Sequence, residues 1–97
     1  MRFSWGDARK STRNLRERGF DFAFATQIFE SSTLERVDSR RHYGERRVIA
    51  LGKAQDIAPT VVYTDRAEGG EIDRRIISAR KSSRREREAH DKATTTK

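Results

Sequence analysis

The chain has 97 residues, of which 38% are charged and 33% hydrophobic, so it forms one small domain with a small core. It has no cysteine, which excludes disulfides and thiolate sites, and its two histidines, His42 and His90, lack metal-ligand spacing. No apolar stretch is long enough for a signal-peptide core or a membrane span. We therefore expect a cytoplasmic domain with no membrane partner, no metal and no cofactor, marginally stable because Leu, Ile, Val and Phe number only 18.

The N-terminal third predicts two helices. The first runs from Asp7 to Arg18, without Gly or Pro, and Gly19 follows as a helix-ending residue. The next segment gives a divided signal: alternate phenylalanines from 20 to 24 fit a strand, whereas Phe22, Ala25 and Phe29 recur at helical spacing. Asp21 is a possible N-cap for the helical alternative.

Four strands and a third helix follow. The turns Tyr43-Gly44 and Gly69-Gly70 predict two antiparallel hairpins from the segments TLERVD, ERRVIALG, TVVYT and EIDRRIISA. Ser83 and Glu86 have the spacing of a capping box, which starts a polar helix. The sequence predicts an α+β domain over residues 1–92, with two N-terminal helices, a four-stranded antiparallel sheet, a C-terminal basic helix and a disordered tail at 93–97.

Positive charge is concentrated near the C-terminus. Residues 74–87, RRIISARKSSRRER, hold seven cations and one acid, and so carry +6 of the formal net charge of +7. Guanidinium groups remain charged at all relevant pH values and bind phosphate oxygens in a two-pronged geometry. Nucleic acid is therefore the first partner to consider, while the lack of an apolar face on this segment disfavours a membrane.

Several motifs recur in a specific order along nearly the whole chain. The most specific is RIISARK from Arg75 followed by S-x-x-E-R, and the second is YGE-x-R before the apolar strand that ends at Gly52. The others are FSW at Phe3, Asp7, Lys10, Asn14, Gly19, Phe22, DSRRHYGERR from Asp38 and VVYTDR from Val61. Together they resemble the BrnT family of toxins. The chain differs from that pattern in an extra residue near Gly6, in Arg18 where His is frequent, and in His90 where Tyr is usual.

The resemblance implies a RelE-like fold and the activity of a ribonuclease toxin that inhibits translation and growth, with mRNA as the expected substrate. It also implies neutralisation by a cognate antitoxin that carries a DNA-binding domain, so operator DNA would be contacted only through the antitoxin. The expected cleavage is metal-independent and leaves a 2′,3′-cyclic phosphate. Two non-catalytic alternatives stay open: a basic nucleic-acid-binding module, and a degenerate toxin that retains only its antitoxin surface.

Metal-free RNA cleavage needs a base for the 2′-hydroxyl and cations around the phosphate. We expect electrostatic catalysis by Arg75, Arg80 and Arg66. Arg75 and Arg80 lie on opposite faces of an ideal strand, but Arg80 falls at the strand's end, where parity no longer decides, so both can reach one cleft. Arginine is not an ordinary base because its pKa exceeds about 12. The candidate bases are Glu45, which we include in the catalytic set, and also Asp65, His42, His90 and Tyr63.

The remaining cations are assigned to binding. We expect RNA contacts from Lys10, Arg47, Lys81 and Arg84, and antitoxin contacts from Arg84, Arg85 and Arg87. For each there is a structural alternative, either an ion pair with a carboxylate or a solvated helix face. Arg13 beside Lys10 could line the RNA path, although an exposed helix face is the better explanation for both residues. Tyr43 beside a loop is the one aromatic residue that suggests base stacking.

Overall fold

The computed structural model describes residues 1–95 and confirms the α+β class. The elements in chain order are β1 (Arg2–Ser4), α1 (Ala8–Arg18), α2 (Phe22–Ala25), a 3₁₀ helix (Thr26–Glu30), β2 (Leu34–Val37), β3 (Val48–Leu51), β4 (Pro59–Glu68), β5 (Glu71–Lys81) and α3 (Arg84–Thr95). The five strands form one sheet in the order β1-β5-β4-β3-β2.

The prediction of a four-stranded antiparallel sheet was wrong, because the sheet has five strands and is mixed. β1 pairs in parallel with β5 and places Phe3 beside Arg74. Three residues are too few to show a strand pattern, and the partner lies at the other end of the sequence. The two predicted hairpins are confirmed, since β2–β3 and β4–β5 are antiparallel, and the pairing of β3 with β4 between them is antiparallel as well. Gly69 and Gly70 form the last turn with φ of 57° and 80°, a conformation that favours glycine.

The first helix is confirmed with both of its ends. The Asp7 side chain accepts a hydrogen bond from the backbone N–H of Arg9, and Gly19 ends the helix in the left-handed conformation. Its buried side chains are polar. Ser11 Oγ accepts from the N–H of Phe22 at 3.0 Å, and Asn14 Nδ2 donates to the carbonyl of Phe20 at 2.8 Å. Two hydrogen bonds therefore fix α1 to the segment that follows it.

The divided signal after Gly19 resolves as helix, because helical spacing directs the apolar side chains onto the sheet. Asp21 caps α2 by accepting from the N–H of Phe24, and the chain continues directly into the 3₁₀ helix. The core between this segment and one face of the sheet consists of Phe20, Phe22, Ala25, Ile28, Val48, Ala50, Ala54, Val61, Tyr63, Ile76 and Ala79. Gly52 allows β3 to approach this segment, because a Cβ there would lie 2.7 Å from the Cβ of Ile28.

The third helix starts as predicted and extends further. The capping box is formed, with Ser83 Oγ accepting from the N–H of Glu86 and the Glu86 carboxylate accepting from the N–H of Ser83. The sequence predicted a polar helix, yet α3 has one buried side chain. His90 is buried, and its Nε2–H donates to the carbonyl of Ser32 at 2.9 Å. Residues 93–95, expected in the tail, are helical, and residues 96–97 lie outside the described part of the chain.

Candidate nucleic-acid cleft

A β-bulge determines which arginines of β5 share a face. Thr64 pairs with Arg75 and Thr60 pairs with Arg80, while the register shifts by one residue between Val62 and Tyr63. Directly paired residues project from the same face of a sheet, so Arg75 and Arg80 lie on one face, opposite the core. Their assignment to opposite faces holds only for an ideal strand. Four residues of β4 separate their partners, which places them about 13 Å apart.

Arg75 lies in a cleft of about 460 Å³ on that face. The wall opposite the sheet comes from the connection between β1 and α1 and from the first turn of α1, and the floor comes from β4, β5 and the loop before β3. The lining residues are Trp5, Gly6, Asp7, Lys10, Glu45, Arg47, Arg66, Arg75, Ile76 and Ile77. The cleft therefore brings together five residues predicted to act in catalysis or RNA binding, namely Lys10, Glu45, Arg47, Arg66 and Arg75.

Glu45 is flanked by two of the cleft's cations. Arg47 Nε donates to Glu45 Oε2 at 3.1 Å, and Arg66 Nη2 lies 3.8 Å from Glu45 Oε1. The Arg47 guanidinium also lies 4.1 Å from the centre of the Tyr43 ring, a cation–π contact that fixes its orientation. Tyr43 thus supports a cation rather than presenting a free ring to a base.

Arg75 is half-buried, and its side chain has no hydrogen bond or ion pair within residues 1–95. Its guanidinium lies against Gly6, where an added Cβ would overlap it. Gly6 is the extra residue in the motif pattern, so the sequence signal for this contact was present but its meaning needs the fold. The cleft holds four cations and two carboxylates, Glu45 and Asp7. Asp7 has a pKa below its ordinary value because its carboxylate accepts the Arg9 N–H at the start of α1.

The other three residues predicted to act in catalysis or RNA binding lie outside the cleft. Arg80 makes two hydrogen bonds to Glu86, of 2.8 and 2.9 Å. This pairing raises the pKa of Arg80 and lowers the pKa of Glu86 to about 2. Arg84 pairs with Glu88 one turn further along α3, at 3.2 Å, and Lys81 is exposed at the end of β5. The expectation that Arg75 and Arg80 reach one cleft was wrong, because a helix carboxylate holds Arg80.

Among the candidate bases, Glu45 is the one that lines the cleft. Asp65 accepts two hydrogen bonds of 2.8 Å from Arg74. Tyr63 faces the core and donates to Glu35, and burial raises its pKa above the ordinary value. His42 is exposed on the loop between β2 and β3, and His90 lies beneath α3.

The loop between β2 and β3 is fixed by a buried carboxylate at its start. Asp38 is 1% exposed and accepts hydrogen bonds from the Arg40 backbone N–H and from both Nε and Nη2 of its guanidinium. These bonds hold the pKa of Asp38 well below its ordinary value. The motif DSRRHYGERR is therefore a structured loop, and the positions of Tyr43, Glu45 and Arg47 beside the cleft depend on it.

The part of the chain that the structure describes contains no group of three or more His, Asp or Glu side chains arranged to hold a metal ion. It also contains no helix that is long and apolar enough to cross a membrane.

A small α+β domain in which four cations converge on one carboxylate-bearing cleft belongs to the class of basic domains that bind phosphate-containing polymers. The family model described as "Ribonuclease toxin, BrnT, of type II toxin-antitoxin system" matches residues 5–86, and the chain belongs to that family. A comparison with curated proteins gives no match. Membership makes RNA the substrate class and a cognate antitoxin the protein partner.

Proposed function

We propose that the protein is a metal-independent endoribonuclease and that the basic cleft is its active site. One observation carries this proposal: Glu45, a proton acceptor, and Arg75, a cation without a partner in residues 1–95, line the same cleft in a member of a ribonuclease family. We also propose a RelE-like fold, with which the helices flanking one sheet are compatible.

In the proposed reaction the Glu45 carboxylate takes the proton of the 2′-hydroxyl, and the 2′-oxygen attacks the adjacent phosphorus. Arg75 and Arg66 bind the non-bridging oxygens as negative charge develops on them. The bond to the 5′-oxygen then breaks, and that oxygen takes a proton from solvent, which reaches the site because Arg66 is 49% exposed. The products are a 2′,3′-cyclic phosphate and a 5′-hydroxyl.

Arg47 and Arg66 have different parts in this scheme. Arg47 is hydrogen-bonded to Glu45 and stacked on Tyr43, so it orients the carboxylate. Arg66 is 3.8 Å from Glu45, beyond hydrogen-bond distance, and can turn to a phosphate without breaking a hydrogen bond. Lys10 adds a further positive charge at the opposite wall of the cleft.

The test is incubation of the purified protein with RNA in EDTA, followed by end-group determination. We expect 2′,3′-cyclic phosphate ends from wild type, and a loss of about 10²- to 10⁴-fold in rate for Glu45→Gln. Arg16→Ala, which removes an exposed cation of α1 that does not line the cleft, should retain full activity. Unchanged RNA with wild type would contradict the proposal and favour a binding module with steep salt dependence.

We propose that the antitoxin docks on α3 and on the groove beside it. This groove of about 410 Å³ lies between α3 and β2, the edge strand of the sheet, and its apolar lining comes from Leu34, Ile49, Leu51 and Ala89. Arg85 lies at its rim and has no ion pair among the described residues. Arg84 and Arg87 flank it on α3, and Arg87 donates to the carbonyl of Ser82. In this proposal operator DNA is contacted only through the DNA-binding domain of the antitoxin.

Charge reversal on α3 tests the docking surface separately from the cleft. Arg85→Glu should weaken binding of the cognate antitoxin by at least about tenfold, since a charged rim contact becomes repulsive. Its ribonuclease activity should not change, and expression of this variant beside the antitoxin should restore growth arrest. Arg16→Glu is the matched control with the same change of charge. Equal antitoxin affinity for wild type and Arg85→Glu would exclude this surface.

A further inference from the structure

A second depression continues the cleft along α1. This groove of about 380 Å³ lies between α1 and β5 and is lined by Lys10, Arg13, Asn14, Glu17, Arg18, Phe22, Ile77 and Ser78. Lys10 and Ile77 also line the cleft that contains Arg75. The two depressions therefore adjoin at a shared wall residue and a shared floor residue. Ile77 is the extra residue of the β5 bulge, so the same irregularity that orients Arg75 also forms the junction.

Two cations without partners line the junction and the start of the groove. Among the basic residues of α1, Arg9 pairs with Asp7 and Arg18 donates to the carbonyl of Ala79 at 2.8 Å. The side chains of Lys10 and Arg13 have no hydrogen bond or ion pair within residues 1–95. One helical turn of three residues separates them, about 4.5 Å along the axis, so their long side chains can contact successive groups of one backbone.

The groove has one carboxylate, Glu17, which lies about 6 Å beyond Arg13 along the helix axis and away from the cleft. Arg18 also lines this far end, and its guanidinium, held by the carbonyl of Ala79, offsets the charge of Glu17. Net positive charge therefore lies at the junction, beside Lys10 and Arg13, where a phosphate is favoured. This charge order places the basic part of the groove beside the phosphate that immediately neighbours the scissile one.

The wall that carries these cations is fixed in position. Ser11 and Asn14, which adjoin them in sequence, hold α1 to residues 20–22 through hydrogen bonds of 3.0 and 2.8 Å. A rigid helix loses little conformational entropy when a ligand binds, so Lys10 and Arg13 lose chiefly side-chain freedom on contact with phosphate. α1 and β5 enclose the groove on two sides.

We propose that the groove between α1 and β5 binds the phosphate adjacent to the scissile phosphate of a single-stranded RNA, with Arg13 as its ligand. This inference rests on the proposed ribonuclease function of the cleft. The substrate class is then single-stranded RNA with at least one phosphate beyond the scissile linkage. Arg13 determines substrate length and binding, and it takes no part in the chemistry.

The test compares a dinucleotide, which has only the scissile phosphate, with trinucleotides extended by one phosphate on the 5′ or the 3′ side. We expect kcat/KM of wild type to rise by about tenfold for one of the two extensions, as befits one charge-assisted contact. Arg13→Ala should lose this gain, so that it cleaves the extended trinucleotide and the dinucleotide with the same kcat/KM. Arg16→Ala should keep the gain, because Arg16 lies on the same helix but outside the groove.

Binding provides the second measurement, with single-stranded 2′-O-methyl oligonucleotides that cannot be cleaved. The plot of log affinity against log salt has a negative slope, and its magnitude should be smaller by about 0.7 for Arg13→Ala than for Arg16→Ala. This is the value for one phosphate contact to a single strand. Equal slopes and equal length dependence for the two variants would overturn the groove. If wild type cleaves no RNA, the proposed function fails, and the binding slopes alone decide the groove.

Discussion

Two arginines of β5, Arg75 and Arg80, are in opposite electrostatic situations. Arg75 and Arg80 share one face of the sheet, yet Arg75 has no partner within residues 1–95 and Arg80 is held by two hydrogen bonds to Glu86. A guanidinium whose charge is already offset by a carboxylate binds a phosphate less favourably than an unpaired one. The availability of each arginine therefore depends on its neighbours and not on its position in a basic sequence run.

The neighbours differ because the two positions on the strand meet different elements. Arg75 faces the connection between β1 and α1, where Gly6 has no side chain to oppose it. Arg80 faces the first turn of α3, where the capping box fixes the Glu86 carboxylate. On this face of β5, Arg75 is thus available to a ligand and Arg80 is structural, and each part of this comparison can be tested.

The largest expected effect comes from removing the two arginines separately. Arg75→Ala should lower kcat/KM for RNA cleavage by about 10²- to 10³-fold, as for loss of one group that stabilises a developing oxyanion. Arg80→Ala should change kcat/KM by less than about threefold and mainly reduce stability. Single-turnover cleavage by folded, purified variants measures both. Equal losses in the two variants would show that Arg80 leaves Glu86 to act in catalysis, as its place in the basic run suggests.

The sequence predicted the elements whose signals are local. The helix end at Gly19, the capping box at Ser83 and the Gly69-Gly70 turn follow from residues within one turn of each other, and each lies where predicted. β1 was missed because its hydrogen-bond partner is about 70 residues away in β5. Such a pairing leaves no periodic pattern in three residues.

Four of the five predicted site residues in the cleft lie in or just before a strand whose register the hydrophobic pattern determines, and the fifth, Lys10, lies in the first turn of α1. Arg80 could not be placed from parity, since nothing in RIISARK indicates that a bulge occurs at Ile77. The pairing of Glu86 was equally hidden, because the capping-box spacing predicts its backbone bond but not a strand arginine within reach. The contact of Gly6 with Arg75 likewise depends on β1.

Gly6→Ala should give the next largest effect. It tests the position of the unpaired Arg75 side chain without changing a charge. The added methyl group would overlap the Arg75 guanidinium and displace this flexible side chain. Gly6 does not have positive φ and is exposed, so the backbone should accept alanine and the melting temperature should stay within about 2 °C. We expect kcat/KM to fall by about tenfold. Wild-type activity in this variant would mean that Arg75 works equally well elsewhere in the cleft.

The smallest expected effect concerns the pair between Arg80 and Glu86. Glu86→Gln removes the charge and keeps the capping geometry, since glutamine also completes a capping box. The folded pKa of Glu86 is about 2 and its ordinary value is 4.5. A carboxylate with a lowered pKa contributes stability that is fully present above pH 4.5 and is lost as the pH falls through about 2. Arg80 is 48% exposed, so solvent screening limits this contribution to about 1 kcal/mol at pH 7.

Urea unfolding followed by Trp5 fluorescence measures the free energy of unfolding of both proteins from pH 7 to pH 2. The difference between wild type and Glu86→Gln should be largest above pH 4.5 and should vanish near pH 2, whereas the other acidic groups titrate alike in both proteins. Cleavage activity at pH 7 should not change, because the pair lies outside the cleft. A rise in activity of Glu86→Gln would instead identify the pair as a restraint on a catalytic Arg80. The distinction between an available Arg75 and a structural Arg80 would then no longer hold.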